Sequence, residues 1–231
     1  ASPSARANPP MIGPAIVATW LAAVQRKPVA RAIPADCGRL VLHFLAFEPT
    51  RSAVIQYCIR CGASVSLRIP AGDSLPRHVC QTCGHIHYEN PRLVVCCVAE
   101  WEGKILLCRR AIEPRHGYWT LPGGFMENGE TTAEAAIRET REEAGAEVTV
   151  EAPFAMVNIP HINQVHLFYR GRLRTPDFLA GEESLEVQLL APADIPWPDL
   201  AFRSVTLCLE RYLRDREQQR FSFHEADLAP Q

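Results

Sequence analysis

The chain has 231 residues, of which 47% are hydrophobic, and its formal net charge is −2. This length and composition suit one sizeable hydrophobic core together with a small accessory unit. Residues 1–52 contain six basic and two acidic side chains, a net charge of +4, so the rest of the chain carries −6. An acidic body argues against a protein that binds nucleic acid mainly through the phosphate backbone.

Residues 1–52 are rich in Pro, poor in acidic side chains and without clear periodicity. We expect a plastid or mitochondrial targeting segment or a disordered tail, and a signal peptide is a third alternative. The apolar run at 11–24 is too short to span a bilayer and contains Gly and Pro. Because the chain begins with Ala, we expect its start to be processed, truncated or engineered.

Four of the nine cysteines form two C-x-x-C pairs, at Cys58, Cys61, Cys80 and Cys83. A Gly follows each pair and lets the backbone turn, so each pair presents both sulfurs from one tight turn. Four converging thiolates make a closed tetrahedral Zn²⁺ site. The spacing is typical of a zinc ribbon, in which the metal stabilises a unit too small for a core of its own. A redox pair or a nucleic-acid contact is the alternative function.

The remaining cysteines lack such spacing and are expected to be small core or incidental residues. They are Cys37, Cys96, Cys97, Cys108 and Cys208. His85 and His87 would be zinc ligands only if a cysteine were displaced. This cysteine usage fits a reducing compartment better than a secreted disulfide framework. We expect the cytoplasm, or a plastid or mitochondrial matrix if residues 1–52 are a transit peptide.

Apolar runs after the cysteine pairs predict a mixture of strands and helices. "LVVCCVAE" and "KILLCRR" flank "WEGK" and predict a β-hairpin. Further strands are predicted at 154–159, 165–172 and 185–190, and an amphipathic helix at about 204–217.

A second helix is predicted at 132–144, where Thr131 and Glu134 form a capping box and Gly145 ends the helix. Helical periodicity defines one face that we expect to be buried. Its members are Ala133, Ala136, Ile137, Thr140 and Ala144.

Three glutamates, Glu139, Glu142 and Glu143, lie along one edge of that face. Ion pairs such as Glu134–Arg138 fit an ordinary solvated helix and stabilise it by about 0.2–0.5 kcal/mol each. The Glu139–Glu143 pair does not fit, because like charges at that spacing are destabilising. Carboxylate oxygens bind hard cations such as Mg²⁺, so a metal site beside the Gly-rich loop is the alternative. Periodicity alone does not decide between the two.

The same stretch resembles the Nudix box, the signature of enzymes that hydrolyse nucleoside diphosphates linked to another moiety. Five residues separate Gly124 from Glu130, and seven separate Glu130 from the run "RETREEAGA" that starts at Arg138. One position departs, because Thr140 stands where the family usually has a bulky aliphatic residue. This departure concerns local packing, and the Thr140 hydroxyl is expected to bond the Ala136 carbonyl.

The resemblance implies an α/β fold, the Nudix α/β/α sandwich with a mixed sheet, over about residues 91–220. A small four-cysteine zinc-ribbon domain would precede it. We expect four segments: an N-terminal extension at 1–52, the zinc ribbon at 53–90, the Nudix hydrolase domain at 91–222 and a C-terminal tail at 223–231.

With this resemblance, the box is predicted to hold catalytic Mg²⁺ or Mn²⁺. The predicted ligands are the Gly124 carbonyl, Glu130, Glu139, Glu142 and Glu143. A bound divalent cation neutralises the diphosphate and lowers the pKa of the attacking water. Arg138 is expected to orient the glutamates. The general base is either a box glutamate or a carboxylate in "GEESLE", which offers Glu182, Glu183 and Glu186; we take Glu186 as the candidate, although each alone is more often a solvated residue.

Candidate substrate contacts come from strand ends and loops near the box. They are Arg109, Arg110, Tyr118, Trp119, Phe125 and His161. A guanidinium suits a diphosphate, and an aromatic ring suits a purine or flavin. An exposed strand-end arginine, a core aromatic ring and a satisfied structural histidine are the competing interpretations.

A zinc ribbon before a Nudix domain resembles two groups, the bacterial NADH pyrophosphatases and a bacterial and plastid group associated with FAD or ADP-ribose hydrolysis. The Ser-Gln-Pro-Trp-Pro-Phe-Pro motif of the first group is absent, whereas "GEESLEVQLL" and "IPWPDLAF" resemble the second. The resemblance therefore implies hydrolysis of FAD or ADP-ribose to AMP plus FMN or ribose 5-phosphate, with NADH or capped RNA as alternative substrates.

A rival from another class is a nucleic-acid or ligand-sensing module with an inactive Nudix domain. The intact box and the acidic body argue against it. We expect a small dinucleotide as the partner, and neither a membrane nor nucleic acid. Dimers are common in the family, so a homodimer is a further candidate state by analogy alone.

Overall fold

The computed structural model describes residues 55–230. The expected extension at 1–52, with Cys37, lies outside the described residues. The strands and helices, in chain order, are β1 (Val65–Arg68), β2 (Arg77–Cys80), β3 (Ile86–His87), β4 (Arg92–Trp101), β5 (Lys104–Arg110), β6 (Trp119–Thr120), β7 (Gly123–Phe125), α1 (Thr132–Ala144), β8 (Val148–Ile159), β9 (Gln164–Leu173), β10 (Ser184–Leu190), α2 (Arg203–Glu217) and β11 (His224–Asp227). None of the helices in this part of the chain is long and apolar enough to cross a membrane.

The cysteine pairs lie in a three-stranded antiparallel sheet with the order β1-β2-β3. Cys80 pairs with Val65 across β1 and β2, so the strand pairing brings the second cysteine pair toward the first. The small sheet therefore serves mainly to bring two turns together.

The main sheet has eight strands, with the order β10-β5-β4-β9-β8-β11 and with β6 and β7 pairing to β5 and β4. The β4–β9 and β8–β11 pairs are parallel, whereas the other pairs are antiparallel. The sheet is therefore mixed, as predicted.

Both faces of this sheet are buried, each under one helix. Alternate residues of β4 point to opposite faces, so Val95 and Cys97 pack with α1 residues such as Ala136, while Cys96 packs with α2 residues such as Leu209. This double burial explains why β4 is apolar along most of its length. The α/β/α sandwich expected from the sequence is confirmed.

Helix α1 begins and ends where the sequence predicts. The Thr131 hydroxyl accepts from the Glu134 amide at 3.2 Å, and the Glu134 carboxylate accepts from the Thr131 amide at 2.7 Å. Gly145 ends the helix with a left-handed φ of 58°. The Thr140 hydroxyl donates to the Ala136 carbonyl at 2.7 Å, which satisfies the polar group introduced by the departure from the family pattern.

The buried face of α1 differs from the prediction. Ala133 and Ile137 are only half-buried, whereas Glu139 and Glu143 are buried. The reason is that β7 packs against this helix and covers the edge that carries the glutamates. Periodicity of apolar residues does not detect a face buried with carboxylates on it.

The predicted hairpin, the later strands and the last helix are all present, but three strands of the main sheet were not predicted, and neither were the three strands of the small sheet. β6 and β7 have two and three residues, too short for an alternating pattern. β11 pairs with β8, so the sheet extends into the segment expected as a C-terminal tail. Its sequence, HEAD, has no strand signature.

A buried histidine links β9 to the first turn of α2. His166 Nε2 donates to Gln164 Oε1 at 3.0 Å, and the Ser204 hydroxyl donates to His166 Nδ1 at 2.9 Å. This arrangement holds the neutral imidazole. Burial lowers the pKa of His166 to about 4.

We predict that His166 makes the fold less stable in mild acid. The unfolded side chain has a pKa of about 6.5, so between about pH 6.5 and pH 4 the unfolded state binds more protons than the folded state. From pH 7 to pH 5 this difference lowers the free energy of unfolding by about 2 kcal/mol. Urea unfolding of the wild type and of His166→Gln at both pH values measures it. Equal pH dependence in the two proteins would contradict the assignment.

Candidate active site

The Gly-rich strand β7 and helix α1 bring the box residues together. β7 pairs with β4, Gly124 opposite Val95, and the chain then passes through a short loop into α1. The Gly123 amide donates to the Glu143 carboxylate at 3.1 Å. A Cβ on Gly124 would lie 2.6 Å from Glu139 Oε1, so any other residue there would displace the Glu139 carboxylate from its present position.

One guanidinium organises the carboxylates. Arg138 donates to both oxygens of Glu130, at 3.0 and 2.7 Å, and through Nη1 to Glu139 at 2.7 Å and Glu142 at 2.9 Å. Its Nη2 also donates to the Phe125 carbonyl at 3.1 Å. Hydrogen bonding to Arg138 lowers the pKa of Glu130 to about 2. The predicted orienting role of Arg138 agrees with these contacts.

Glu139 and Glu143 are the two carboxylates of the site whose ionised forms are disfavoured by burial. Burial raises the pKa of Glu143 to about 8, and burial also raises the pKa of Glu139. The charge of Glu183 raises both pKa values further, while that of Arg110 lowers the pKa of Glu143. A divalent cation would stabilise the ionised forms of these two buried carboxylates, which also repel each other.

The donor set has the chemistry that a hard divalent cation prefers, but the carboxylates bond Arg138, and within residues 55–230 only the four cysteines place three or more such donor atoms within 4.8 Å of one another. The members of the donor set are carboxylate oxygens from one helix, with a strand of glycines passing within contact distance. Glu139, Glu142 and Glu143 would hold the metal, with Glu130 beside them and the Gly124 carbonyl as a further candidate ligand.

The structure brings some of the other predicted residues to this cluster. Arg110, at the end of β5, acts on Glu143 through its charge, and Glu183 acts on both buried glutamates. Glu186 points elsewhere, since its carboxylate accepts from Gln188 and lies 3.8 Å from Arg109. Glu183 is therefore the member of "GEESLE" with the electrostatic link to the cluster.

The aromatic and histidine candidates lie in different surroundings. Trp119 is half-buried against the core between the sheet and α2, which supports the alternative that it is a packing residue. Tyr118 lies under the Arg115 guanidinium, whose carbon is 5.5 Å from the ring centroid. Phe125 is exposed, and His161 is exposed in the 3-10 turn Pro160–Ile162.

Sequence reasoning missed two residues that stack on predicted site residues. Arg92 lies over the Phe125 ring at 4.9 Å, and Phe202 lies beneath Arg110 at 5.1 Å. Each pair is distant in sequence, so no local spacing indicates it.

The four paired cysteines converge. Their sulfurs all lie within 4.8 Å of one another, with Cys58–Cys83 at 3.7 Å and Cys61–Cys80 at 3.5 Å. A tetrahedral Zn²⁺ with Zn–S bonds of about 2.3 Å requires sulfurs about 3.8 Å apart, so the cluster fits zinc. The Cys83 amide donates to Cys80 Sγ at 3.4 Å, and this bond lowers the pKa of Cys80 to about 6. His85 and His87 stack on each other and are not part of the cluster.

Comparisons with known proteins match both parts of the described chain. A family model described as NUDIX domain matches residues 89–208, and a zinc-ribbon model described as Nudix N-terminal matches residues 56–89. The crystal structure of a NUDIX hydrolase from Nitrosomonas europaea is 48% identical with a TM-score of 0.74, over 75% of this chain and 99% of that one. The chain belongs to the Nudix family and is a Nudix hydrolase.

Two curated relatives carry more specific names. The ADP-ribose pyrophosphatase of Methanocaldococcus jannaschii is 40% identical over 73 residues, 32% of this chain and 43% of that protein. The NAD-capped RNA hydrolase NudC of Photobacterium profundum is 35% identical over 96 residues, 40% of this chain and 33% of that protein. The chain spans less than half the length of these two relatives.

We predict that Arg138→Lys weakens Mn²⁺ binding about tenfold, because a lysine keeps the charge but cannot bridge three carboxylates. The matched control is Arg141→Lys on the same helix, whose partner Glu147 lies 2.8 Å away outside the cluster. Titration of Mn²⁺ followed by electron paramagnetic resonance measures both. Equal affinities for the two variants would contradict the orienting role.

A second prediction concerns the cysteine cluster. Cys80→Ser should reduce the zinc content from about one ion per chain to near zero, because three thiolates do not close a structural site. Atomic absorption on the purified proteins measures the content. His85→Ala should keep its zinc, and loss of zinc from that variant instead would make His85 a ligand.

Proposed function

We propose that this Nudix hydrolase is a Mg²⁺-dependent pyrophosphatase that cleaves the diphosphate of FAD or ADP-ribose. The products are AMP and either FMN or ribose 5-phosphate. The observation that carries the proposal is the carboxylate cluster organised by Arg138, with the cationic Arg110 beside it.

Each residue of the site has its own proposed role in the reaction. A divalent cation, when bound, supplies charge neutralisation and an acidified water. Glu139, Glu142 and Glu143 hold the cation, and Arg138 keeps them oriented. Arg110 faces the diphosphate as a further cation, and Arg109 is the second candidate.

The general base is proposed to come from the segment 181–186. Glu186 is the carboxylate taken from the sequence, but Glu183 is better supported by its charge coupling to the two buried glutamates. The Glu183 carbonyl accepts from the Ala111 amide at 2.8 Å, so its backbone is fixed beside the end of β5. Tyr118, Trp119, Phe125 and His161 remain proposed contacts for the base, flavin or ribose.

The substrate preference rests on resemblance. A relative is named ADP-ribose pyrophosphatase, and "GEESLEVQLL" and "IPWPDLAF" resemble the FAD and ADP-ribose group. NADH or an NAD-capped RNA is the second candidate, favoured by the relative named for that activity. An inactive sensing module is the least supported, since all four glutamates of the box are present.

Zn²⁺ is proposed as the structural ion of the ribbon. The cysteine pattern, two C-x-x-C pairs whose sulfurs converge as a metal site, supports a reducing compartment, the cytoplasm or an organelle matrix. A small dinucleotide is the proposed partner, and a homodimer stays an analogy.

We predict that the purified protein with Mg²⁺ converts FAD or ADP-ribose to AMP and that Glu142→Gln lowers the rate at least about a hundredfold, because it removes one anionic ligand. Parallel incubations with FAD, ADP-ribose and NADH, resolved by chromatography, measure the products. Glu147→Gln, at an exposed glutamate just beyond the same helix, is the matched control and should retain activity.

Three outcomes separate the candidates. AMP together with FMN or ribose 5-phosphate names the substrate. AMP from NADH alone would move the protein to the other group. No turnover of any of the three compounds would contradict the substrate class and favour the sensing module.

A further inference from the structure

The backbone of Arg110 is held by hydrogen bonds, whereas its guanidinium forms no ion pair within residues 55–230. Its amide donates to the Tyr118 carbonyl at 2.9 Å, and its carbonyl accepts from the Gly117 amide at 2.8 Å. The side chain is anchored once, by Nε donating to the Pro114 carbonyl at 2.9 Å. Among the ion pairs within residues 55–230, Arg109 has Glu186 as a partner, whereas Arg110 takes part in none. Its two terminal nitrogens are therefore available to a ligand.

The end of β5 lies beside the carboxylate cluster, because the segment 181–186 joins the two. The Ala111 amide donates to the Glu183 carbonyl at 2.8 Å, and the Gly181 amide donates to the Glu143 carbonyl at 3.0 Å. A cation at this position suits the oxygens of a metal-bound diphosphate. A guanidinium on a long side chain, however, has several rotamers, and binding must fix one of them.

Phe202 provides the surface that restricts Arg110. The guanidinium carbon lies 5.1 Å from the centroid of the Phe202 ring, within cation–π range. The ring is half-buried and packs against the core between the sheet and α2. Its backbone is equally fixed, since the Phe202 carbonyl accepts from the amides of Val205 and Thr206 at 3.0 and 3.1 Å.

The position of Phe202 in its helix supports a role other than helix formation. It is the N-cap residue of α2, and no side chain caps this helix. Ser, Thr, Asp and Asn are the residues that stabilise an N-cap, and phenylalanine cannot do so. The residue at this position contributes through its ring, which packs against the core on one side and lies against the Arg110 guanidinium on another.

We propose that Phe202 is a positioning residue that holds the Arg110 guanidinium in the orientation in which it would bind the diphosphate of the substrate. The ring supports one face of the planar guanidinium, and the free edge donates to the diphosphate oxygens. This inference rests on the proposed function, because it takes a nucleoside diphosphate as the ligand of Arg110.

The test is a double-mutant cycle read by binding rather than by turnover. The affinity for ADP in the presence of Mg²⁺ is measured by calorimetry for the wild type, Phe202→Leu, Arg110→Gln and the double variant. Phe202→Leu should weaken ADP binding roughly tenfold, and Phe202→Tyr should restore it, because a tyrosine ring keeps the stacking surface. In the Arg110→Gln background Phe202→Leu should have no further effect.

A matched control is Phe221→Leu, which removes a ring that stacks on Arg170 at 3.8 Å, near the end of α2. It should leave the affinity for ADP unchanged, and the Mn²⁺ affinity should be unchanged in all Phe202 variants. If the wild type binds ADP but Phe202→Leu binds it equally well, or weakens it additively with Arg110→Gln, the positioning role is wrong while the proposed function stands. If the wild type does not bind ADP, the positioning role is overturned, while the proposed function is decided separately by the turnover of FAD or ADP-ribose.

Discussion

The carboxylate cluster depends on a single guanidinium. Without Arg138, the carboxylates of Glu130, Glu139 and Glu142 would lie near one another with nothing to offset their mutual repulsion. Arg138 donates to all three, and the Gly123 amide supports the fourth carboxylate, Glu143. The glycines of β7, the short loop and the start of α1 all determine this arrangement, because a shift of one residue in the start of α1 would rotate Arg138 away from Glu130 and Glu143 away from the Gly123 amide.

A second constraint of the same kind holds the ribbon. Of residues 55–90, only Cys58, Val79, Cys80 and His87 are buried, so the unit has almost no hydrophobic core. Two of these buried residues are members of the sulfur cluster. A bound metal would therefore supply the cohesion that apolar packing supplies in the main domain, where two clusters fill both faces of the sheet.

Local patterns predicted the parts of this fold whose causes are local. The capping box, Gly145 and the C-x-x-C turns each satisfy a nearby backbone requirement, and the structure places them as expected. Pairings between distant segments were out of reach, as for β11 on β8 or Phe202 beneath Arg110. The burial of Glu139 was missed for a different reason, because apolar periodicity assumes that charged residues face water.

The central claim is that the cluster binds a divalent cation between the helix carboxylates and the glycine strand. A crystal soaked in Mn²⁺, with anomalous diffraction data collected near the manganese edge, tests it directly. The account predicts an anomalous peak in contact with Glu139, Glu142 and Glu143. A clear map with manganese bound elsewhere and no peak at these carboxylates would contradict it.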